Sequence, residues 1–138
     1  MFCDLDALPE GADVTLENGL CLLANEAGLE ILPGSAVIVP KAHRPTVFDL
    51  SEAEIAATFA LLHEARPVLD ERYRPDGYTI GWNCYAASGQ AVPHAHLHVV
   101  LRFADEPRAG HGLRWWLKHA ENRRPDPHAR GRRDRSFA

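Results

Sequence analysis

The 138-residue sequence predicts an α+β fold: an antiparallel sheet of about five strands, one long amphipathic helix and a short C-terminal helix. Two observations carry this prediction. Short apolar segments bounded by turn residues recur along the chain, which favours short strands. One longer segment, residues 51–66, begins with helix-capping residues and has apolar residues at helical spacing. Strands around a single amphipathic helix are typical of the α+β class.

The first elements in chain order are a hairpin and a buried strand. Asn18-Gly19 separates two apolar segments, residues 14–16 and 20–23, and this dipeptide favours a tight hairpin turn. Residues 35–39 form a short apolar run that Pro40 ends. The run predicts a further strand of the sheet.

The helix follows. Ser51 and Glu54 have the spacing of a capping box, which predicts the helix start. The apolar positions that predict its sheet-facing side are Ile55, Phe59, Leu62 and Ala65. Pro67 predicts a break or kink, because proline removes a helical hydrogen bond.

The second half of the chain predicts two more strands and a short helix. Residues 78–82 predict a strand after the turn at residues 75–77. Residues 83–90 are rich in small side chains and predict a loop. His94–Arg102 predicts a buried strand, and residues 113–119 predict the short helix.

Three histidines with two-residue spacing, His94, His96 and His98, stand out as candidate functional residues. Side chains alternate along a strand, so we expect all three rings on one face and the apolar residues between them on the other. Protonation of one ring disfavours protonation of its neighbours, which keeps at least one ring neutral near pH 7. Neutral imidazole can act as base, nucleophile or metal ligand. The residues alone therefore leave open a metal site and nucleophilic catalysis.

Length and charge indicate one domain, residues 1–120, followed by an arginine-rich and mobile tail, residues 121–138. The tail has six arginines and three acidic residues, a charge of +3. The whole chain has a net charge of −4, so residues 1–120 carry −7. This acidic body gives no support for nucleic acid as a partner. No apolar run approaches the roughly 18 residues of a membrane helix, so no membrane partner is expected.

The cysteines, Cys3, Cys21 and Cys84, are odd in number and form no Cys-x-x-Cys pair. This pattern indicates reduced thiols and not a disulfide framework. The N-terminal residues have neither a basic region nor a signal-peptide core. We therefore expect a cytoplasmic protein.

The residues around the three histidines resemble the histidine triad (HIT) superfamily. The family pattern is His-φ-His-φ-His-φ-φ, where φ is apolar, and residues 94–100 conform at every position. Asn83, Gly89-Gln90 and Val92 resemble the residues that precede this pattern in the family. Residues 33–43, which end in Pro-Lys-Ala-His, resemble the family's other recurrent segment. Together the two segments frame residues 2–103.

This resemblance implies hydrolysis or transfer at the α-phosphate of a nucleotide conjugate. His96 matches the family nucleophile, which forms a covalent nucleotidyl-histidine. A backbone carbonyl is the usual orienter of the nucleophile, and His94 would assist. His98 would donate to a phosphate oxygen and stabilise the transition state.

The resemblance also implies the phosphate contacts, and the chain departs from the family pattern at several positions. The expected contacts are Gln90, as a catalytic and binding residue, and the backbone amides of Gly89, Gln90, Ala91 and Val92. Asn83 would hold a phosphate or order the loop, and His43 would line the site. Ala91 lacks the hydroxyl that many relatives have there, which slightly favours dinucleoside polyphosphates over phosphoramidates. Tyr85 stands where the family frequently has glycine.

Cofactor, partner and alternatives complete the predictions. No cofactor is required, although a divalent metal could accompany a polyphosphate substrate, and no structural zinc is expected. The resemblance implies a homodimer. The family's ribose-binding aspartate would fall on Ala27, so the resemblance leaves Glu26 and Glu30 as open candidates for that role. The alternatives are a phosphoramidate hydrolase, a metalloprotein with His94, His96 and His98 as ligands, and a non-catalytic nucleotide-binding or scaffold protein.

Overall fold

A computed structural model describes residues 13–25, 31–131 and 133–137 of the chain. The strands are β1 (Asp13–Glu17), β2 (Cys21–Asn25), β3 (Ala36–Pro40), β4 (Gly77–Gly81) and β5 (Leu97–Arg102). They form one antiparallel sheet in the order β1-β2-β3-β5-β4. The helices are α1 (Glu52–Tyr73) and α2 (Trp115–Lys118), with 3-10 turns at Val47–Asp49, Ala86–Ser88 and Ala120–Asn122. The predicted α+β fold is confirmed.

The predicted hairpin joins β1 to β2 and is built around the Asn18 side chain. Its carboxamide oxygen accepts hydrogen bonds from the backbone amides of Leu20 at 3.1 Å and Cys21 at 2.9 Å. Its amide nitrogen donates to the Ala57 carbonyl of α1 at 2.9 Å. Asn18 therefore sets the turn and also ties the hairpin to the helix.

Helix α1 begins with the predicted capping box. The Ser51 hydroxyl accepts from the Glu54 amide at 3.1 Å, and the Glu54 carboxylate accepts from the Ser51 amide at 2.7 Å. The break predicted at Pro67 is wrong, because the helix continues through it. Pro67 is exposed, so water can hydrate the carbonyl that lacks an N–H partner, while Ala65 and Leu69 are held in the core.

The side of α1 that packs on the sheet is offset by one residue from the predicted side in the first half of the helix, whereas Ala65 is buried as predicted and Leu62 packs on the core. The buried stripe consists of Glu54, Thr58, Leu61, Ala65 and Leu69. The predicted Ile55 and Phe59 are 37% and 43% exposed. The prediction counted apolar residues only, whereas the Thr58 hydroxyl is buried and donates to the Glu54 carbonyl at 2.7 Å. A satisfied polar side chain can therefore occupy a core-facing position.

Strand β5 has the alternation expected of a strand with one buried face. Leu97, Val99 and Leu101 are buried in the core that α1 covers. His98 and Arg102 therefore lie on the opposite face of the sheet. The strand begins at Leu97, so the start predicted at His94 is wrong.

The remaining sequence predictions concern the termini and the thiols. Cys21 and Cys84 are free thiols, while Cys3, Glu26 and Glu30 lie outside the described residues. The prediction of a domain over residues 1–120 with a mobile tail stays a prediction. Among the helices of the described segments, none combines the length and apolar character of a membrane span.

Candidate active site

The histidine segment leaves strand geometry before β5 begins, and Pro40 explains why. The register pairs Ile38 with Leu97, so its continuation would place Pro40 opposite Ala95. Proline has no N–H to donate to a sheet ladder. The Ala95 amide instead donates to the carbonyl of Arg44 at 2.7 Å, in the segment that follows β3. The chain around His94 consequently takes a path that strand periodicity does not describe.

His94 is buried, with 1% of its surface exposed. Its Nε2 lies 2.9 Å from the Pro40 carbonyl oxygen. A carbonyl can only accept, so Nε2 carries the proton and donates. The His43 ring meets the His94 ring edge to face, with centroids 5.5 Å apart. The structure thus brings the fourth predicted histidine, His43, into contact with the triad.

His96 and His98 form the half-buried part of the triad. Their rings are stacked, with centroids 6.0 Å apart and planes 13° apart. Both rings therefore lie on the face of the sheet opposite α1. The His96 and His98 rings stack on each other, whereas the His94 ring is buried and hydrogen-bonded to the Pro40 carbonyl; that all three rings share one face stays a prediction. Strand periodicity could not predict this division, because it arises where the strand ends.

The loop over residues 83–90 contains two residues with positive φ. Gly89 has φ 99° and Tyr85 has φ 69°. A Cβ on Gly89 would lie 3.8 Å from the Asn83 amide nitrogen, so this side chain lies over the glycine. A side chain at Gly89 would be strained in this backbone conformation. The position after Gln90, Ala91, is exposed.

Gln90 is 4% exposed, and its side chain holds three backbone groups together. Its oxygen accepts from the Tyr85 amide at 2.8 Å. Its nitrogen donates to the carbonyls of Pro45 at 2.6 Å and Val92 at 3.0 Å. Both amide protons are therefore used within the protein. In this arrangement the Gln90 side chain positions the loop, and its predicted phosphate contact stays a prediction.

The predicted backbone contacts divide in the same way. The amides of Gly89 and Gln90 donate to the carbonyls of Ala86 and Tyr85 at 2.9 and 3.0 Å. These two amides are therefore engaged within the loop. The phosphate contacts at Ala91 and Val92, and the role of Asn83, stay predictions.

Arg44 connects the triad segment to Glu54 on α1, and the sequence did not predict this connection. The Arg44 Nε donates to both Glu54 carboxylate oxygens at 2.9 and 3.2 Å. The Arg44 carbonyl in turn accepts the Ala95 amide, between His94 and His96. In the sequence, Glu54 stands out only as part of the capping box. That motif predicts the start of the helix but not the contact with Arg44.

The Glu54 carboxyl is buried and remains charged. Burial by itself would raise its pKa, but hydrogen bonds from the Ser51 amide and the Arg44 guanidinium outweigh burial and lower the pKa below 4.5. A depressed pKa in the folded state stabilises the protein above the unfolded-state pKa. This contribution is lost as the pH falls from the unfolded-state pKa through the lower folded-state pKa.

We predict that Glu54→Gln destabilises the fold by about 1 kcal/mol at pH 7, the scale of a charged hydrogen bond between a buried carboxylate and a partly exposed arginine. Glutamine can still complete the capping box, so the change tests the Arg44 pair. The difference from wild type should shrink as the pH falls from the unfolded-state pKa of this carboxyl to its lower folded-state pKa, because proton binding then favours the unfolded chain. Urea unfolding at several pH values measures it. Glu52→Gln, at an exposed position in the same turn, is the control and should show no such change.

The described residues contain no group of three histidine, cysteine or acidic side chains arranged to hold a metal ion. His94 is directed at the Pro40 carbonyl, whereas His96 and His98 stack on each other. The geometry therefore gives no support to the alternative in which the triad ligates a metal.

Comparison with known proteins agrees with the histidine pattern. The family model for the HIT domain matches residues 11–105. A solved structure of a HIT family protein from Bacillus subtilis superposes with a TM-score of 0.69 at 21% identity, covering 89% of this chain and 84% of that one. This chain belongs to the HIT domain family.

Two named relatives can be aligned with about half of this chain. A bis(5'-nucleosyl)-tetraphosphatase (asymmetrical) from Schizosaccharomyces pombe is 29% identical over 72 residues, which is 52% of this chain and 40% of the relative. A bis(5'-adenosyl)-triphosphatase from Dictyostelium discoideum is 31% identical over 72 residues, which is 52% of this chain and 48% of the relative. The matches thus span less than half the length of either relative.

Proposed function

We propose that this protein is a nucleotide hydrolase or nucleotidyl transferase that acts at the α-phosphate of nucleoside 5'-phosphate conjugates through His96. The observation that carries the proposal is the division of the triad. His94 is anchored to the Pro40 carbonyl, while the half-buried rings of His96 and His98 stand together on one face. Family membership and the names of the two relatives support the same reaction class.

The first step of the proposed reaction forms a covalent intermediate. The lone pair of a neutral His96 ring nitrogen attacks the α-phosphorus and forms an N–P bond. The bond from phosphorus to the leaving group breaks, and the leaving group takes the electron pair. The second ring nitrogen of His96 keeps its proton throughout. His98 donates a hydrogen bond to a phosphate oxygen as charge develops there.

The second step returns His96 to its starting state. The oxygen of a water molecule attacks the same phosphorus, and its proton passes to solvent. The N–P bond breaks, its electron pair returns to the imidazole, and a nucleoside monophosphate leaves. Two easier displacements thus replace one difficult displacement. An alcohol or phosphate in place of water would make the same chemistry a transfer.

The proposed substrate is a dinucleoside polyphosphate in preference to a phosphoramidate. The names of both relatives describe enzymes that cleave dinucleoside polyphosphates. A polyphosphate leaves as a weak base, whereas an amine must be protonated, and Ala91 has no hydroxyl to assist. The test compares kcat/KM for diadenosine polyphosphates and adenosine phosphoramidate. A preference for the phosphoramidate above about tenfold, or 1.4 kcal/mol, would contradict this choice.

Ala91→Ser should raise kcat/KM for the phosphoramidate and leave the value for the polyphosphate unchanged. Ala91 is exposed, so a serine adds a hydroxyl without crowding the core. An amine leaving group gains from a nearby proton donor, and the expected gain is severalfold up to about tenfold. Ala87→Ser, at an exposed alanine of the same loop, is the matched control. Equal gains on both substrates would show that this position does not govern the choice.

We propose that two copies of the chain pair along β4. This strand is last in the sheet order, so one of its edges has no partner strand among the described residues. Beside it, between α1 and β4, lies a cavity of about 430 Å³ with apolar lining residues that include Leu62, Leu69, Ile80 and Val99. Light scattering at micromolar concentration should give the mass of two chains, and the mass of one chain would refute the proposal. The cytoplasmic location stays a prediction.

A further inference from the structure

Tyr85 has a backbone conformation that only glycine adopts readily. Its φ of 69° and ψ of 168° lie in a region that side chains with a Cβ strongly disfavour. Such a conformation persists only where the surrounding structure fixes it. Tyr85 lies on the loop that leads to the histidine triad, so the contacts that fix it bear on the site.

One set of contacts comes from the segment Asp134–Phe137, which we call the clamp. The Ala86 amide donates to the Ser136 carbonyl at 2.7 Å. The Phe137 ring packs on the Tyr85 ring with centroids 5.7 Å apart. The Arg135 guanidinium lies over the same ring, 5.8 Å from its centroid. The clamp therefore holds both the backbone and the side chain of the loop.

A second set of contacts leads from Tyr85 to the triad. The Tyr85 amide donates to the buried Gln90 side chain at 2.8 Å. That side chain donates to the Val92 carbonyl, which also accepts the His94 amide at 2.8 Å. An unbroken series of contacts thus runs from Phe137 through Tyr85 and Gln90 to His94.

We propose that the clamp is a positioning element of the active site. Phe137 and Tyr85 act through Gln90: their contact keeps the loop in its strained conformation and thereby places the backbone that leads into His94. The effect on turnover rests on the proposed function, whereas the docking of the clamp does not. Tyr85 and Phe137 are positioning residues and do not touch the reacting atoms.

Amide hydrogen exchange of Ala86, followed by NMR, tests the docking without any assay of activity. Phe137→Ala should increase its exchange rate about tenfold or more, because the bond to Ser136 then opens more often. Leu117→Ala, which removes an 83% exposed apolar side chain on α2, should leave the rate unchanged. An unchanged rate in Phe137→Ala would overturn the clamp, whatever the protein catalyses. A wild type without turnover would overturn the proposed function, and the exchange result would still decide the docking.

A double-mutant cycle with Tyr85→Gly tests positioning. Phe137→Ala should lower kcat about tenfold with KM nearly constant, since misplaced reacting groups slow chemistry more than binding. Glycine adopts the Tyr85 conformation without help from the clamp. Tyr85→Gly should therefore keep most of the activity, and adding Phe137→Ala to it should have no further effect. Faster exchange with unchanged kcat in Phe137→Ala, or equal losses in both backgrounds, would overturn the positioning role.

Discussion

Replacing His96 with alanine should abolish turnover. We expect kcat to fall by at least about 10⁴-fold, the scale seen when an enzyme loses its nucleophile. The ring supplies the lone pair that forms the N–P bond, and it stacks on the His98 ring. Affinity for a nucleoside monophosphate should change only a fewfold, because the ring is needed for chemistry more than for binding. Steady-state kinetics and calorimetric titration measure the two effects.

The control for this change is His128→Ala, which removes an exposed histidine outside the domain core. It should leave both kcat and affinity at the wild-type level. A His96→Ala protein with wild-type kcat would show that the nucleophile lies elsewhere. If wild type and His96→Ala both bound nucleotide without turnover, the protein would instead be a binding or scaffold protein.

Replacing His98 with alanine should lower kcat about 10²-fold, the effect of removing one charge-stabilising donor. The ring stacks on His96 from within β5, so strand geometry fixes its position relative to the nucleophile. The stabilised charge develops on the phosphate oxygens in the transition state. The loss should consequently appear in kcat and kcat/KM alike.

His98→Gln provides the matched variant for this prediction, because glutamine retains an N–H donor of similar reach. We expect it to recover part of the activity that alanine loses. A His98→Ala protein with raised KM and unchanged kcat would assign His98 to ground-state binding. Equal activity of the two variants would show that the donor has no role.

The parts of the fold that the sequence predicts best are those that neighbouring residues decide. The Asn18 side chain hydrogen-bonds within its own turn. Ser51 and Glu54, three residues apart, cap α1 by hydrogen bonds to each other's backbone amides. The alternation of β5 beyond Leu97 follows from burial of one face. In each case the deciding contacts are close in sequence or repeat with the strand period.

The features that the sequence missed depend on contacts between distant segments. The buried His94 ring is held by a hydrogen bond to the Pro40 carbonyl, 54 residues away. Gln90 resembles a phosphate ligand in the motif, yet its amide is used by Pro45 and Val92. The buried side of α1 is offset because Thr58 satisfies its hydroxyl within the helix. Periodicity counts side chains, and it cannot count the partners that make a polar group suitable for burial.

The central claim is a nucleotide carried on His96, and trapping it is the most direct test. The protein would be mixed with a diadenosine polyphosphate, quenched in alkali within the first turnover, digested and analysed by mass spectrometry, because phosphoramidates of histidine survive base better than acid. We predict an adenylyl group on the peptide that carries His96, its absence from His96→Ala, and its appearance at the rate of the first turnover. Turnover without a His96 adduct, or the same adduct on His96→Ala, would contradict the account.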